Sequence, residues 1–284
     1  MVFTTDAVIK SGAGFVHKLS HDSECLGTRM KLNVYVPLRK SCPVLFYLGG
    51  LTCTGDNGIE KGGFLHKASE LGLAMVFPDT SPRTTEGNTI KGEHDSYDLG
   101  SGAGFYINAT AEPWSSHYQM ETYIVEELPR LLSEQFPQFN WDSKGITGHS
   151  MGGHGALTLF LKYPNKFKSV SAFAPICNPT QCPWGQKAFT NYLGSVSAGE
   201  AHDATCILKR LGKDAPAATI LIDVGTGDNF YKQGQLLPEH FKDAAAGTPV
   251  TVDLRFQEDY DHSYYFIQDF SENHLEFHGK KLYQ

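Results

Sequence analysis

The chain has 284 residues, 40% of them hydrophobic and 12% aromatic, with a formal net charge of −7 at pH 7. That length suits one large α/β unit, and the apolar content is enough to fill its core, which excludes disordered and fibrous classes. The acidic balance excludes a general binder of nucleic acid or anionic membrane, because either needs a basic face to displace counterions from phosphates.

Residues 1–12 carry an acid at Asp6 and no apolar run of signal-peptide length, and no segment reaches the roughly 20 apolar residues that cross a bilayer. The expectation is a cytoplasmic protein whose cysteines, Cys25, Cys42, Cys53, Cys177, Cys182 and Cys206, stay free thiols. No repeat, charge run or low-complexity linker divides the chain, so residues 1–284 are expected to form a single domain.

In chain order, apolar runs predict strands at 32–36 (LNVYV) and 44–48 (VLFYL), helical spacing follows at 58–71, and a third strand at 73–77 (LAMVF). A helix is expected over 118–136, a short strand at 145–147, a helix over 152–163 stopped by Pro164, and a strand at 169–174 (SVSAFA). Strands at 219–224 (TILIDV) and 250–256 (VTVDLRF) flank a helix at 239–246, and a last helix covers 264–280. Near-continuous apolar runs alternating with helices imply an α/β fold with a mostly parallel central sheet and helices on both faces. Chemistry in such sheets sits beyond the carboxyl ends of the strands.

Residues 148–152 read Gly-His-Ser-Met-Gly, between a strand-like run and a helical one. Gly-x-Ser-x-Gly in that context is a nucleophile elbow, where the serine sits in a strained turn and side chains at the flanking positions would strike neighbouring backbone. The helix start below it offers unpaired N–H groups to an oxyanion. Ser150 is therefore the candidate nucleophile, and a serine hydroxyl needs a base and an orienting acid, which follow in this architecture in the order Ser, Asp/Glu, His.

Asp228 follows the strand-like run at 219–224, whereas Asp223 lies inside that run and Asp203, Asp214 and Asp243 belong to polar, surface-like stretches. His262 follows the last strand-like run, whereas His240, His274 and His278 fall within helices, where surface or packing roles suit them. Asp228 and His262 thus complete the candidate triad. The backbone N–H groups of Met151 and of Leu51, in the glycine-loosened loop Gly49-Gly50-Leu51, are the candidate oxyanion donors. His149 and His154, and the cluster Asp259, Asp261 and His262, match no metal-binding spacing. No GxGxxG follows a buried strand either, so no metal and no cofactor are expected.

Several longer motifs accompany these residues: YLGGLTCTGDN (47–57), FPDTSPR (77–83), GSGAGFYINATAEPW (100–114), YQMETYIVEELP (118–129), ITGHSMGGHGAL (146–157), SAFAPICNP (171–179), PWGQKAF (183–189) and DHSYYF (261–266). Through them the chain resembles, nearly end to end, the S-formylglutathione hydrolase (esterase D) family of α/β-hydrolases. The resemblance implies the same triad, Ser150, Asp228 and His262, with Leu51 and Met151 as oxyanion donors. It also implies a small-molecule substrate, the formyl thioester of glutathione, hydrolysed to formate and glutathione in formaldehyde detoxification. It places Cys53 beside the catalytic pocket.

A formyl group is small, so bulky side chains such as Trp184, Phe105 or Tyr106 are expected to wall its pocket. Lys61, Arg83, Lys91 and Lys187 are candidates to meet the glutathione carboxylates, each with a solvated surface role as its alternative. Gly49, where relatives commonly carry serine, and the variable stretch 83–88 depart from the family pattern and touch rim contacts only. A general short-chain carboxylesterase, an acyltransferase with the same triad, and a catalytically silent binding module are the competing readings. No nucleic acid or membrane partner is expected, and a homodimer stays open.

Overall fold

The structure is a computed structural model that describes residues 2–84 and 90–284. It opens with a strand hairpin, β1 (Thr4–Ser11) and β2 (Gly14–Ser23), and continues through β3 (Thr28–Pro37) and β4 (Pro43–Leu48). Helices α1 (Gly55–Lys61) and α2 (Phe64–Leu71) precede β5 (Ala74–Pro78). After a long excursion come α3 (Met120–Thr122), a π turn (Tyr123–Glu127), α4 (Leu128–Gln135), β6 (Asn140–Gly148), α5 (Met151–Lys162) and β7 (Ser169–Phe173). The chain ends with α6 (Pro183–Leu193), α7 (Ala204–Leu211), β8 (Ala218–Gly225), α8 (Asn229–Lys232), α9 (Pro238–Ala244), β9 (Val250–Gln257) and α10 (Tyr264–Leu282).

Among the described residues, one sheet of nine strands runs in the order β1-β2-β3-β5-β4-β6-β7-β8-β9. From β5 to β9 every pairing is parallel, and β1, β2 and β3 join antiparallel at one edge. This is the α/β-hydrolase arrangement. Ser169 and Ser171 of β7 bond to His278 and His274 of α10, so α10 covers that face, with α2 packed beside it. Alternation turns Val170 and Ala172 to the other face, where α5 lies on β6 and β7 with α7 behind it. β4 and β5 are buried at every position, which accounts for their unbroken apolar sequences.

Several elements differ from the sequence expectation. The β1–β2 hairpin is absent from it: β1 is an edge strand exposed along most of its length, and β2, though largely buried, mixes Phe15, Val16 and Leu19 with His17, Lys18, Ser20 and His21 in place of an unbroken apolar run. The helix expected over 58–71 breaks into two at Gly62-Gly63, where Gly63 takes φ +72° and a side chain at Gly62 would meet the Phe64 ring. The helix over 118–136 contains the π turn just before Pro129, whose missing N–H leaves the Val125 carbonyl to Lys166 Nζ at 3.4 Å. Helices α6 and α7 were not expected, although Asp203 caps α7 by accepting from Cys206 N.

Candidate active site

The turn from β6 into α5 is built by close backbone approach. A Cβ on Gly152 would stand 2.0 Å from the Leu48 carbonyl oxygen, and one on Gly148 would stand 2.3 Å from that of Gly152. Glycine at both positions lets α5 start against the end of β4. Ser150 between them has φ +58°, a backbone conformation that costs a non-glycine residue about 1–3 kcal/mol. No capping bond engages its side chain, and it faces a pocket.

Two further glycines bring the acid to the base. Side chains at Gly225 and Gly227 would collide with the Tyr260 and Asp259 carbonyl oxygens, so the loops after β8 and β9 pack backbone on backbone. Asp228 is fully buried, caps α8 by accepting from Phe230 N (2.7 Å) and Tyr231 N (3.3 Å), and reaches His262 Nδ1 at 2.5 Å. Its two oxygens are thereby divided between the helix cap and the imidazole. The hydrogen bond from Ser150 Oγ to His262 is not closed among the described residues, as is common before substrate tightens such contacts.

Met151 N–H and Leu51 N–H have no hydrogen-bond partner among the described residues, whereas the next amides, Thr52 and Cys53, bond to Gly102 O (2.8 Å) and Gly50 O (3.2 Å). The loop bearing Leu51 is braced from behind: Tyr106 Oη donates to Gly49 O at 2.9 Å, and Thr80 Oγ1 donates to Cys53 O at 2.5 Å. A Cβ at Gly49 would stand 2.9 Å from Thr80 Cγ2 and 3.2 Å from Cys53 Cβ.

The pocket measures about 280 Å³, and its walls include Leu51, Cys53, His149, Trp184, Phe230 and Tyr264. That is just below the roughly 300–1,000 Å³ typical of ligand cavities. A larger groove of about 650 Å³ lies between β2, β3 and α1 and contains none of Ser150, Asp228 and His262. Two ion pairs lie within it, Lys18 with Asp56 and Arg83 with Asp79.

Trp184 and Cys53 both line the small pocket. Phe105 and Tyr106 do not, which corrects the expectation that they wall it. Both are buried beneath the loops, where Tyr106 braces Gly49 and the Phe105 carbonyl accepts from His154 Nε2 at 3.0 Å. Arg83 is committed to Asp79 (2.8 and 2.9 Å) and Cys53 O (3.0 Å), and Lys187 to Ser96 and Asp98, so neither is free for a substrate carboxylate. Lys61 and Lys91 are exposed and line neither cavity. Part of the variable stretch 83–88, from Thr85 onward, lies outside the described residues. Among the described residues no group of three or more His, Cys, Asp or Glu could hold a metal ion, and no helix is long and apolar enough to cross a membrane.

His149, whose spacing from His154 matches no metal site, has its ring 4.4 Å from that of His262. Burial, and secondarily the neighbouring His262, hold it well below the ordinary histidine range, so it is neutral. Its two ring nitrogens are buried without a partner among the described residues. Burial also pushes the Cys53 thiol up, with Tyr264 Oη donating to its Sγ at 3.8 Å.

A largely parallel α/β sheet with a serine at a strained strand-to-helix turn and, facing the same pocket, a histidine backed by a buried aspartate defines a serine hydrolase of the α/β-hydrolase fold. The comparisons narrow this class. Residues 23–277 match the family described as "Putative esterase". S-formylglutathione hydrolases from Rattus norvegicus and Arabidopsis thaliana are 49% and 50% identical to this chain, covering 96% and 95% of it and 96% and 94% of their own lengths. A solved S-formylglutathione hydrolase from Agrobacterium tumefaciens superposes with TM-score 0.92 at 42% identity, covering 98% of this chain and 99% of that one. The chain belongs to the S-formylglutathione hydrolase family of esterases.

Proposed function

We propose that this protein hydrolyses S-formylglutathione to glutathione and formate in the cytoplasm, through a formyl-serine intermediate. The observation that carries the reading is the convergence of Ser150, His262 and Leu51, whose backbone N–H is unpaired, on one small pocket, with the unpaired Met151 N–H next to Ser150 in the chain and buried Asp228 behind the imidazole. Family membership supports the thioester as substrate.

In the proposed cycle His262 takes the Ser150 hydroxyl proton as Ser150 Oγ attacks the formyl carbonyl, and Asp228 fixes the tautomer by accepting from Nδ1–H. The N–H groups of Leu51 and Met151 hold the tetrahedral oxyanion, each worth about 10²–10³ in turnover. Collapse breaks the carbon–sulfur bond, and glutathione leaves with the proton that His262 carries. A water, deprotonated by His262, then attacks the formyl-serine, and return of that proton to Ser150 releases formate. No step draws on a metal or organic cofactor.

The test is turnover of S-formylglutathione by the purified enzyme beside a short-chain aryl ester. The thioester is expected to have the higher kcat/KM. An aryl ester preferred over the thioester would assign the protein to general esterase chemistry instead.

A further inference from the structure

Tyr97 is a large aromatic with 58% of its surface exposed, yet it lines the pocket and is held in place from two directions. Trp184 Nε1 donates to its hydroxyl oxygen at 3.1 Å. One helical turn further along α6, Lys187 Nζ donates to Ser96 Oγ at 2.8 Å and to Asp98 Oδ1 at 2.5 Å, the residues on either side of Tyr97. Tyr192, at the end of the same helix, accepts from Gly100 N at 2.7 Å. Three side chains of α6 thus fasten the segment 96–100, and the one large ring it carries faces outward at the pocket's edge.

The wall that ends in Tyr97 begins at the base. The Phe230 ring stands 4.8 Å from that of His262, and the Trp184 ring stands 4.6 Å from Phe230. His262 must deliver its proton to the departing sulfur, so the leaving thiol lies on the His262 side, where this aromatic wall begins. A tyrosine hydroxyl has one hydrogen to donate and two lone pairs. Trp184 occupies a lone pair, which leaves the O–H for a ligand oxygen.

We infer that Tyr97 is a specificity-determining residue, donating its phenolic hydrogen to a carbonyl or carboxylate oxygen of the peptide carried on the substrate's sulfur. Lys187 is a positioning residue that acts through it. The inference rests on the S-formylglutathione reading, and it explains why Lys187 is tied to Ser96 and Asp98 and meets no substrate carboxylate itself.

The test compares Tyr97→Phe, Lys187→Met and the double variant with the wild-type enzyme. The kcat/KM ratio of S-formylglutathione to 4-nitrophenyl acetate is measured, together with inhibition of the aryl-ester reaction by glutathione. Tyr97→Phe should raise KM for S-formylglutathione about fivefold to tenfold with kcat within about twofold, as loss of one hydrogen bond to bound ligand predicts. The ratio should fall and the glutathione inhibition constant should rise by similar factors. Lys187→Met should shift both in the same direction by less, and the double variant should match Tyr97→Phe. A ratio and an inhibition constant both within twofold of wild type in Tyr97→Phe would overturn the assignment. Additive effects in the double variant would overturn the positioning role of Lys187. Wild-type enzyme that fails to turn over S-formylglutathione would defeat the parent reading instead, while the glutathione arm would still report on Tyr97.

Discussion

Two chains of serine, histidine and aspartate run through this molecule, and they are built for opposite ends. Asp228 meets His262 at 2.5 Å beside a pocket that also contains Ser150. Behind the same strands, Asp223 meets His274 at 3.2 Å, and His274 meets Ser171 at 2.8 Å. Ser171 also bonds to His278 (2.8 Å), whose other nitrogen bonds to Ser169 (2.7 Å). Every member of this second chain is buried, and the serines stand inside β7 in place of a strained turn.

Residue types therefore do not distinguish the two; access and backbone do. The Ser150 turn has unpaired N–H groups and open space, which a developing oxyanion requires. Ser171 has neither, and the charge of Asp223 is already balanced by Arg255 at 2.5 and 2.6 Å. The His274 ring instead stacks 3.7 Å from Phe173, whose carbonyl accepts from Ser150 N at 2.9 Å. The buried chain ties β7, β8, β9 and α10 together beneath the strand ends that carry Ser150, Asp228 and His262.

The comparison can be broken by paired substitutions. Ser150→Ala should abolish turnover and fluorophosphonate labelling with little change in melting temperature. Ser171→Ala should keep the label and lose about 1–3 kcal/mol of stability, since it strips partners from two buried imidazoles. A labelled Ser150→Ala enzyme would remove Ser150 from the proposed role. Asp228→Asn should lower kcat about 10⁴-fold by favouring the wrong histidine tautomer. Asp223→Asn should cost about 3 kcal/mol in urea unfolding, because Arg255 would be left partly buried without its charge partner, with kcat of the folded enzyme changed only a fewfold. Equal kcat losses in the two variants would show that the buried chain takes part in the reaction.

A pH series sharpens the same contrast. Burial holds His149, His154, His274 and His278 below the ordinary histidine range, His154 at about 3. The unfolded chain takes up protons on these imidazoles near pH 6.5 while the native protein does not. Their contribution is present above about pH 6.5 and is lost as the pH falls, by up to ~1.4 kcal/mol per pH unit for each. Asp223, held below the carboxylate range because its bonds to His274 and Arg255 outweigh burial, adds a loss only below about pH 4. Urea midpoints measured at pH 7.5, 6 and 5 should therefore fall steadily, and a flat profile would contradict buried, neutral imidazoles.

The smallest effect concerns Cys53. Among the described residues its side chain accepts only a 3.8 Å contact from Tyr264, so Cys53→Ser should keep most of its turnover. Iodoacetamide should inhibit the wild type slowly, since burial raises the thiol, and the serine variant should resist it. The other five cysteines serve as controls, and equal inhibition of both enzymes would place the responsible thiol elsewhere.

Short-range patterns carried much of this protein. Buried strands declare themselves as unbroken apolar runs, as in β4 and β5, because both faces are covered. The glycines at 148 and 152 mark the Ser150 turn because only they permit its backbone contacts, and Asp228 and His262 stand directly after strand-like runs. Strand β1 gave no such signal, since an exposed edge strand needs no apolar stripe. Only the tertiary structure decided which side chains meet. Trp184 and Tyr97 are 87 residues apart, Asp223 and His274 51, and Tyr264 and Cys53 211. Periodicity and turn chemistry are properties of a few consecutive residues, whereas such contacts depend on the path of the whole chain, which is why Arg83 and Lys187 read as free cations until their partners were in place.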